Sequence, residues 1–166
     1  LMPARRQLRG QDALCQNAMS TIGVQQESRW DALTGMVELI KSYNEHEYNA
    51  LKDVIAQRQQ INGNSTAEQA DAQENLMNQV AGRINVVVER YPELKANENY
   101  AKAMEAVDKY TNMVRTSKMV YNDTATKYNK LIRQIPDSIV ASLFGFKTRE
   151  YLKTEEKKTE MPSLKI

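Results

Sequence analysis

One cysteine and one histidine in 166 residues leave little material for thiol or metal chemistry. Cys15 stands alone, so no internal disulfide can form. His46 opens a His-Glu pair, as in the H-E-x-x-H zinc motif, but the residue four further on is Ala50. A single histidine needs distant partners to close a zinc site, and the segment reads instead as a solvent-facing polar turn. If one continuous helix carries both, Cys15 and His46 lie more than about 40 Å apart at a rise of about 1.5 Å per residue. Cys15 therefore has no base beside it and reads as a buried or half-buried packing residue next to the apolar stripe. There are four prolines, two of them (Pro3 and Pro162) near the ends, and six glycines. The interior has few obligatory breaks, which points to long helices. No stretch approaches the roughly 18 apolar residues that suggest a membrane span. No secretory signal is visible. Charge of either sign is not in excess, with 23 basic and 21 acidic residues alternating along helix faces. That lacks the basic stripe and interleaved aromatics of a nucleic-acid binder. There is no Gly-rich phosphate loop and no carboxylate cluster at metal spacing. Glu155 and Glu156 lie in a polar tail that nothing desolvates, so no general acid is marked out. The sequence thus argues for no cofactor, no nucleic acid and no evident small-molecule substrate.

What remains is a helical chain. Hydrophobic residues make up 41% and charged residues 27%, a folded composition at a length that favours one domain. Leu14, Ala18, Ile22, Trp30, Leu33, Val37, Ile40, Leu51 and Ile55 recur at steps of three and four or their sums, one stripe from about Leu8 to about Ile61. Asn62-Gly63 marks a turn, and Ser65 with Glu68 predicts a capping box for a second helix. That helix carries Leu76, Val80, Ile84 and Val87 and ends at Tyr91-Pro92. Asn97 is the predicted cap of a third helix through Tyr100, Val107, Val114, Tyr121, Tyr128 and Ile132, which ends at Ile135-Pro136. The first helix would be much longer than the others and leave its N-terminal half without a partner. The expected fold is all-α, an antiparallel up-and-down bundle of three to four long helices. Its first helix either breaks or kinks near Thr34-Gly35 or projects as a stalk, and the unbroken phase of the stripe favours continuity.

Several short stretches point to a family. "YPELKANENY" (91–100), "YN" twice at a spacing of seven (121–122 and 128–129), "IRQIP" (132–136) and "LFGFK" (143–147) together resemble the LemA family of bacterial proteins. "AMSTIGVQQESRWDALTGMVELIKSYNEHE" (18–47) is similar to its first-helix stretch, with departures. Met19 stands where Trp is usual, Gly23 where Asp is common, Ser28 where a basic residue is usual, and Thr34-Gly35 replaces Pro-Asn. The resemblance implies a helical domain preceded by one transmembrane helix, hence a single-pass protein of the bacterial cell membrane. It implies no established enzymatic activity. The chain begins Leu1-Met2-Pro3 rather than with an initiating Met, which reads as a trimmed start with something missing upstream. If a membrane helix precedes it, Arg5, Arg6 and Arg9 are juxtamembrane and place the domain on the cytoplasmic side.

Residues 1–10 therefore read as a juxtamembrane or appended segment, 11–146 as the bundle and 147–166 as a solvated charged tail. Tyr121 and Tyr128 share one face and are expected in the core. Asn122 and Asn129 fall beside that face and are expected to hydrogen-bond across helices and fix register; the alternative is a binding surface. After Pro136, Asp137 or Ser138 is expected to cap a short helix through Phe144, with Gly145 left-handed and Phe146 folded back on the last turn. Leu143, Phe144 and Phe146 would then seal one end of the bundle; the alternative is a docking patch for a partner or lipid. The function expected is that of a non-catalytic, membrane-tethered bundle acting through protein contacts, with an unknown partner or with itself. The alternatives are an enzyme whose site is assembled across helices and a peripheral lipid-surface module.

Overall fold

A computed structural model describes residues 2–134 and 145–154. It contains α1 (Met2–Ile40), α2 (Glu45–Ile55), α3 (Ala67–Arg90), the single turn α4 (Pro92–Lys95) and α5 (Glu98–Gln134). No strand occurs among the described residues.

The first helix runs straight through Thr34-Gly35. Thr34 Oγ1 donates to the Trp30 carbonyl at 2.8 Å, and nothing crowds Gly35. The break comes later than the sequence suggests, at Lys41–Asn44. Asn44 is extended (φ −152°), and its side-chain oxygen accepts from Glu47 N at 3.0 Å. Glu45 and Glu47 then place two carboxylates in the first turn of α2, where the helix dipole favours them. A single helix from Leu8 to Ile61 is thus replaced by two. The next cap also sits one residue beyond the predicted one. Thr66 and Gln69 form the reciprocal box of α3, while Ser65 Oγ accepts from Asn62 N. Asn97 caps α5 as expected, accepting from Asn99 N at 2.7 Å and Tyr100 N at 3.3 Å.

The helices alternate in direction. α1 is central, lying along α5 and against α3. α2 and the irregular segment 56–66 run back down α1. Tyr48 OH donates to Glu38, Arg58 pairs with Asp31 at 3.5 Å, and Ile61 packs on Gly23. Gly23 is required there, because a methyl group would collide with the Ile61 carbonyl.

The core has two parts. The upper one gathers Trp30, Leu33, Val37, Ile40, Leu51, Ile84 and their neighbours from α1, α2, α3 and α5. The lower one gathers Leu8, Cys15, Met19, Ile22, Tyr121, Ala125 and Tyr128 of α1 and α5, with Ile61, Ala67, Ala70 and Leu152 beside them. Leu14 is 54% exposed, contrary to the stripe drawn from sequence. The buried line passes instead through Leu8, Cys15 and Ile22, seven residues apart, and Leu14 is about 100° off it.

Between the two parts lies a polar layer. Gln73 Oε1 accepts from Trp30 Nε1 at 3.2 Å and from Gln59 N at 2.9 Å. Gln26 Nε2 donates to the Ala70 carbonyl at 3.1 Å, Arg29 to Asn78 at 3.0 Å, and Lys118 to Glu74 at 2.6 Å.

The two glycines of α1 make opposite predictions. Gly35→Ala should raise stability by about 1 kcal/mol, the helix-propensity difference at an uncrowded position. That is about 2–4 °C in Tm for a chain of this size. Gly23→Ala should lower Tm, because the 56–66 backbone must move. Thermal melts followed at 222 nm check both; equal shifts would contradict the packing of Ile61 on Gly23.

Candidate functional site

The lower half of α5 carries Tyr121, Asn122, Tyr128 and Asn129. The two asparagines are seven residues apart, about 10.5 Å along a helix. Three residues of extended chain span about 10 Å. That match is used directly. Residues 146–154 carry no helix and run antiparallel to α5 as a strap. Asn129 Oδ1 accepts from Arg149 N at 2.6 Å, and its Nδ2 donates to the Arg149 carbonyl at 2.9 Å. Asn122 repeats the pairing with Leu152, accepting at 2.8 Å and donating at 3.0 Å. Each side-chain amide thus closes on both polar groups of one residue, as a neighbouring β-strand would. Asn129 is only 3% exposed. The asparagines accordingly hold strap backbone, and the expected hydrogen bonds from them to another helix are replaced by these.

Arg149 anchors the centre. Its Nη2 donates to Asp12 Oδ1 of α1 at 2.6 Å, its Nη1 to Tyr121 OH at 3.3 Å, and its guanidinium lies 5.4 Å from the Tyr128 ring centroid. Burial alone would lower the Arg149 pKa, but the hydrogen bonds to Asp12 and Tyr121 outweigh it and raise it. Burial also pushes the Tyr128 hydroxyl up, and Asp12 adds to it. Tyr121 and Tyr128 are in the core, as their spacing implies, and their faces also form the wall for Arg149. Leu152 is 4% exposed within the lower core, and Phe146 is half-buried against it. Lys153 N donates to Asp71 of α3 at 3.3 Å. The solvated tail expected from Lys147 onward is therefore corrected for 147–154. The segment packs because its main-chain groups find amide partners and Arg149 finds a carboxylate.

Gly145 has φ +76°, the left-handed conformation expected of it. Leu143 and Phe144 lie outside the described residues, as do Asp137, Ser138, Val140 and Ala141 and with them the short helix. His46 is exposed in the first turn of α2. Cys15 is wholly buried, and burial raises its thiol pKa, leaving little thiolate to act as a nucleophile. Among the described residues no three His, Cys, Asp or Glu side chains gather as a metal would need. Sequence reasoning missed Asp12, Arg149 and Leu152. The available signal was Asp12 itself, a charge between Leu8 and Cys15 on the buried face of α1, which calls for a cation.

Beside Lys153 and Thr154 lies an open cleft of about 420 Å³, lined also by Asp71, Glu74, Asn75, Asn78 and Lys118. Burial raises the Asp71 carboxyl above its ordinary range, opposed by the Lys153 N–H and the Lys118 ammonium.

The order of these parts along the chain, with the paired asparagines of α5 followed by the strap, falls within a match to the LemA family model over residues 18–166. The chain belongs to the LemA family. No curated protein matches it at a significant level. The family match spans α5 and the strap; Asp12, the carboxylate that receives Arg149, lies just before it. No helix among the described residues is long and apolar enough to cross a membrane.

Two predictions concern this site. Asn129→Ala strands a buried N–H and C=O of Arg149, a loss of about 1–3 kcal/mol. Tm should fall, and hydrogen exchange at the Arg149 and Leu152 amides should accelerate by at least tenfold. Unchanged exchange would refute the clamp. For Asp71 the folded state holds its proton more tightly than the unfolded state does. Its charge therefore costs stability above the folded-state pKa, and the cost is relieved as pH falls through that value. Asp71→Asn keeps an oxygen for Lys153 N–H. It should melt higher than wild type at pH 7, and the advantage should disappear by about pH 4. An advantage that grows on acidification would have the wrong sign.

Proposed function

We propose that this chain is a non-catalytic helical-bundle module that works through protein–protein contacts, tethered to a membrane by a segment preceding it. The observation that carries the first part is the clamp on the strap. Besides a bond from Asn129 Nδ2 to Tyr151 OH at 3.2 Å, Asn122 and Asn129 address the main-chain groups of Arg149 and Leu152. Such groups distinguish polypeptide from other ligands, and strand-like addition of an extended segment is a recurrent mode of protein recognition. The Arg149–Asp12 pair and the buried Leu152 add side-chain selectivity. The tether and its cytoplasmic side follow from the family resemblance and from Arg5, Arg6 and Arg9.

A second reading, an enzyme whose site is the cleft beside Lys153, rests on Asp71. A carboxyl with raised pKa in a cleft is a feature catalysis uses. Against it, the nearby Lys118 ammonium is already bonded to Glu74 at 2.6 Å.

Photo-crosslinking in the native membrane separates the two readings. A photoreactive residue placed at Tyr151, an exposed residue of the strap, or at Val86, on the exposed face of α3, should yield discrete adducts of polypeptide size. Absence of any polypeptide adduct from a scan of exposed positions on all helices would overturn the protein-contact reading.

A further inference from the structure

The contacts described between strap and groove are made by residues 146–153. Together they specify an extended segment with arginine at one position and leucine three positions later. The two asparagines fix the spacing, Asp12 demands a cation, and the lower core accepts the leucine. None of these contacts depends on which molecule supplies the segment. We infer that the groove between Asp12 of α1 and Asn122 and Asn129 of α5 is a docking site for the strap of a second copy, so that two copies exchange straps reciprocally.

This deepens the protein-contact reading by naming a partner, and it rests on that reading. A second copy is the occupant because it brings the required arginine, leucine and spacing within one segment. It also brings an identical groove for the strap that it displaces. Reciprocal exchange leaves no groove empty and no Asp12 without its guanidinium. The pair closes on a two-fold axis, whereas one-way docking would leave one strap and one groove free. The closed single copy and the exchanged pair make the same strap contacts, so concentration decides between them. A strap tethered to its own bundle acts at an effective concentration on the order of millimolar. Exchange competes when chains are held at comparable density, as tethering to a common surface would hold them.

The test uses the whole chain with cysteines split between copies. One copy carries Lys153→Cys on the strap, the other Asp71→Cys beside the groove, positions in contact through the Lys153 N–H. Cys15 is wholly buried and so shielded from a short bismaleimide. The two copies are mixed at about millimolar concentration, the effective concentration of a tethered segment, and incubated before cross-linking. Cross-linked pairs should form at least tenfold above a control in which the second copy carries Lys102→Cys, an exposed position on the first turns of α5. Arg149→Ala in the strap-donating copy should reduce the yield to the control level. An excess of free peptide Phe-Lys-Thr-Arg-Glu-Tyr-Leu-Lys, residues 146–153, should do so as well, with no variant that must fold, while a scrambled peptide should not. Yield equal to the control overturns the exchange. So does yield indifferent to the peptide, or peptide binding without any cross-link between copies. Adducts to other polypeptides in the membrane experiment would survive each of those failures, so loss of strap exchange is distinct from loss of the protein-contact reading.

Discussion

The length mismatch among the helices governs this structure. α1 has 39 residues and α5 has 37, but α3 has only 24. At about 1.5 Å per residue, two rods of roughly 55–60 Å are packed with a third of about 36 Å. Above the polar layer three or four helices surround a core of ordinary kind. Below it, two helices alone would leave half of each apolar face in water. Chain without helical structure closes the gap. Ile61, in the segment before α3, covers α1 at Gly23, and the strap lies along α5 and reaches α3 at Asp71. A segment with no internal hydrogen bonds can be buried only if something answers its main-chain groups. That requirement explains two asparagines where a helix face would otherwise carry ordinary packing residues.

The polar layer belongs to the same constraint. At the level where Ala70 of α3 meets Gln26 of α1, the packing changes from a multi-helix bundle to a helix pair with coverings. Carbonyl and amide groups of the irregular segment come close to the core there, and Gln73 serves both the Trp30 indole and Gln59 N. Lys118–Glu74 sits in this layer at 2.6 Å with little exposure. Buried pairs of this kind add little net stability against apolar packing. Their physical contribution is positional: each bond fixes how far α1, α3 and α5 are slid past one another. The two apolar clusters then form on either side of a fixed register.

The sequence displays the helices because their signals are local and periodic. Thr66-Gln69, Asn97 and the Tyr100-to-Tyr128 series at steps of seven are readable in windows shorter than a single helix. Even the unexpected break at Lys41–Asn44 had a local signal, Asn44 followed three residues later by Glu47, obscured by the apolar stripe that continues through Leu51. The strap could not be read in this way. Arg149 and Leu152 sit in a run of charges, and what holds them against the bundle is a carboxylate 137 positions away and two amides on another element. Composition describes that segment as soluble; only the tertiary pairing reveals its partners. Gly23 is a similar case. The need for a glycine there is visible only once Ile61 is seen against it.

The two coverings of the lower half differ in how they are held, and this bears on which of them can act. The segment 56–66 is fastened at both ends, by α2 and by α3, and lies against a glycine that admits no larger side chain. Removing it would mean separating two helices from the bundle. The strap follows α5 and is held by amide–backbone hydrogen bonds from Asn122 and Asn129, by Arg149 on Asp12, Tyr121 and Tyr128, by Lys153 N on Asp71, and by the packing of Leu152 and Phe146. It can leave without any helix–helix contact breaking, although Leu8, Cys15, Tyr121 and Tyr128 would lose part of their cover. Exposing those side chains in water is unfavourable, so an empty groove is a poor resting state. The strap leaves at low cost only when an equivalent segment takes its place.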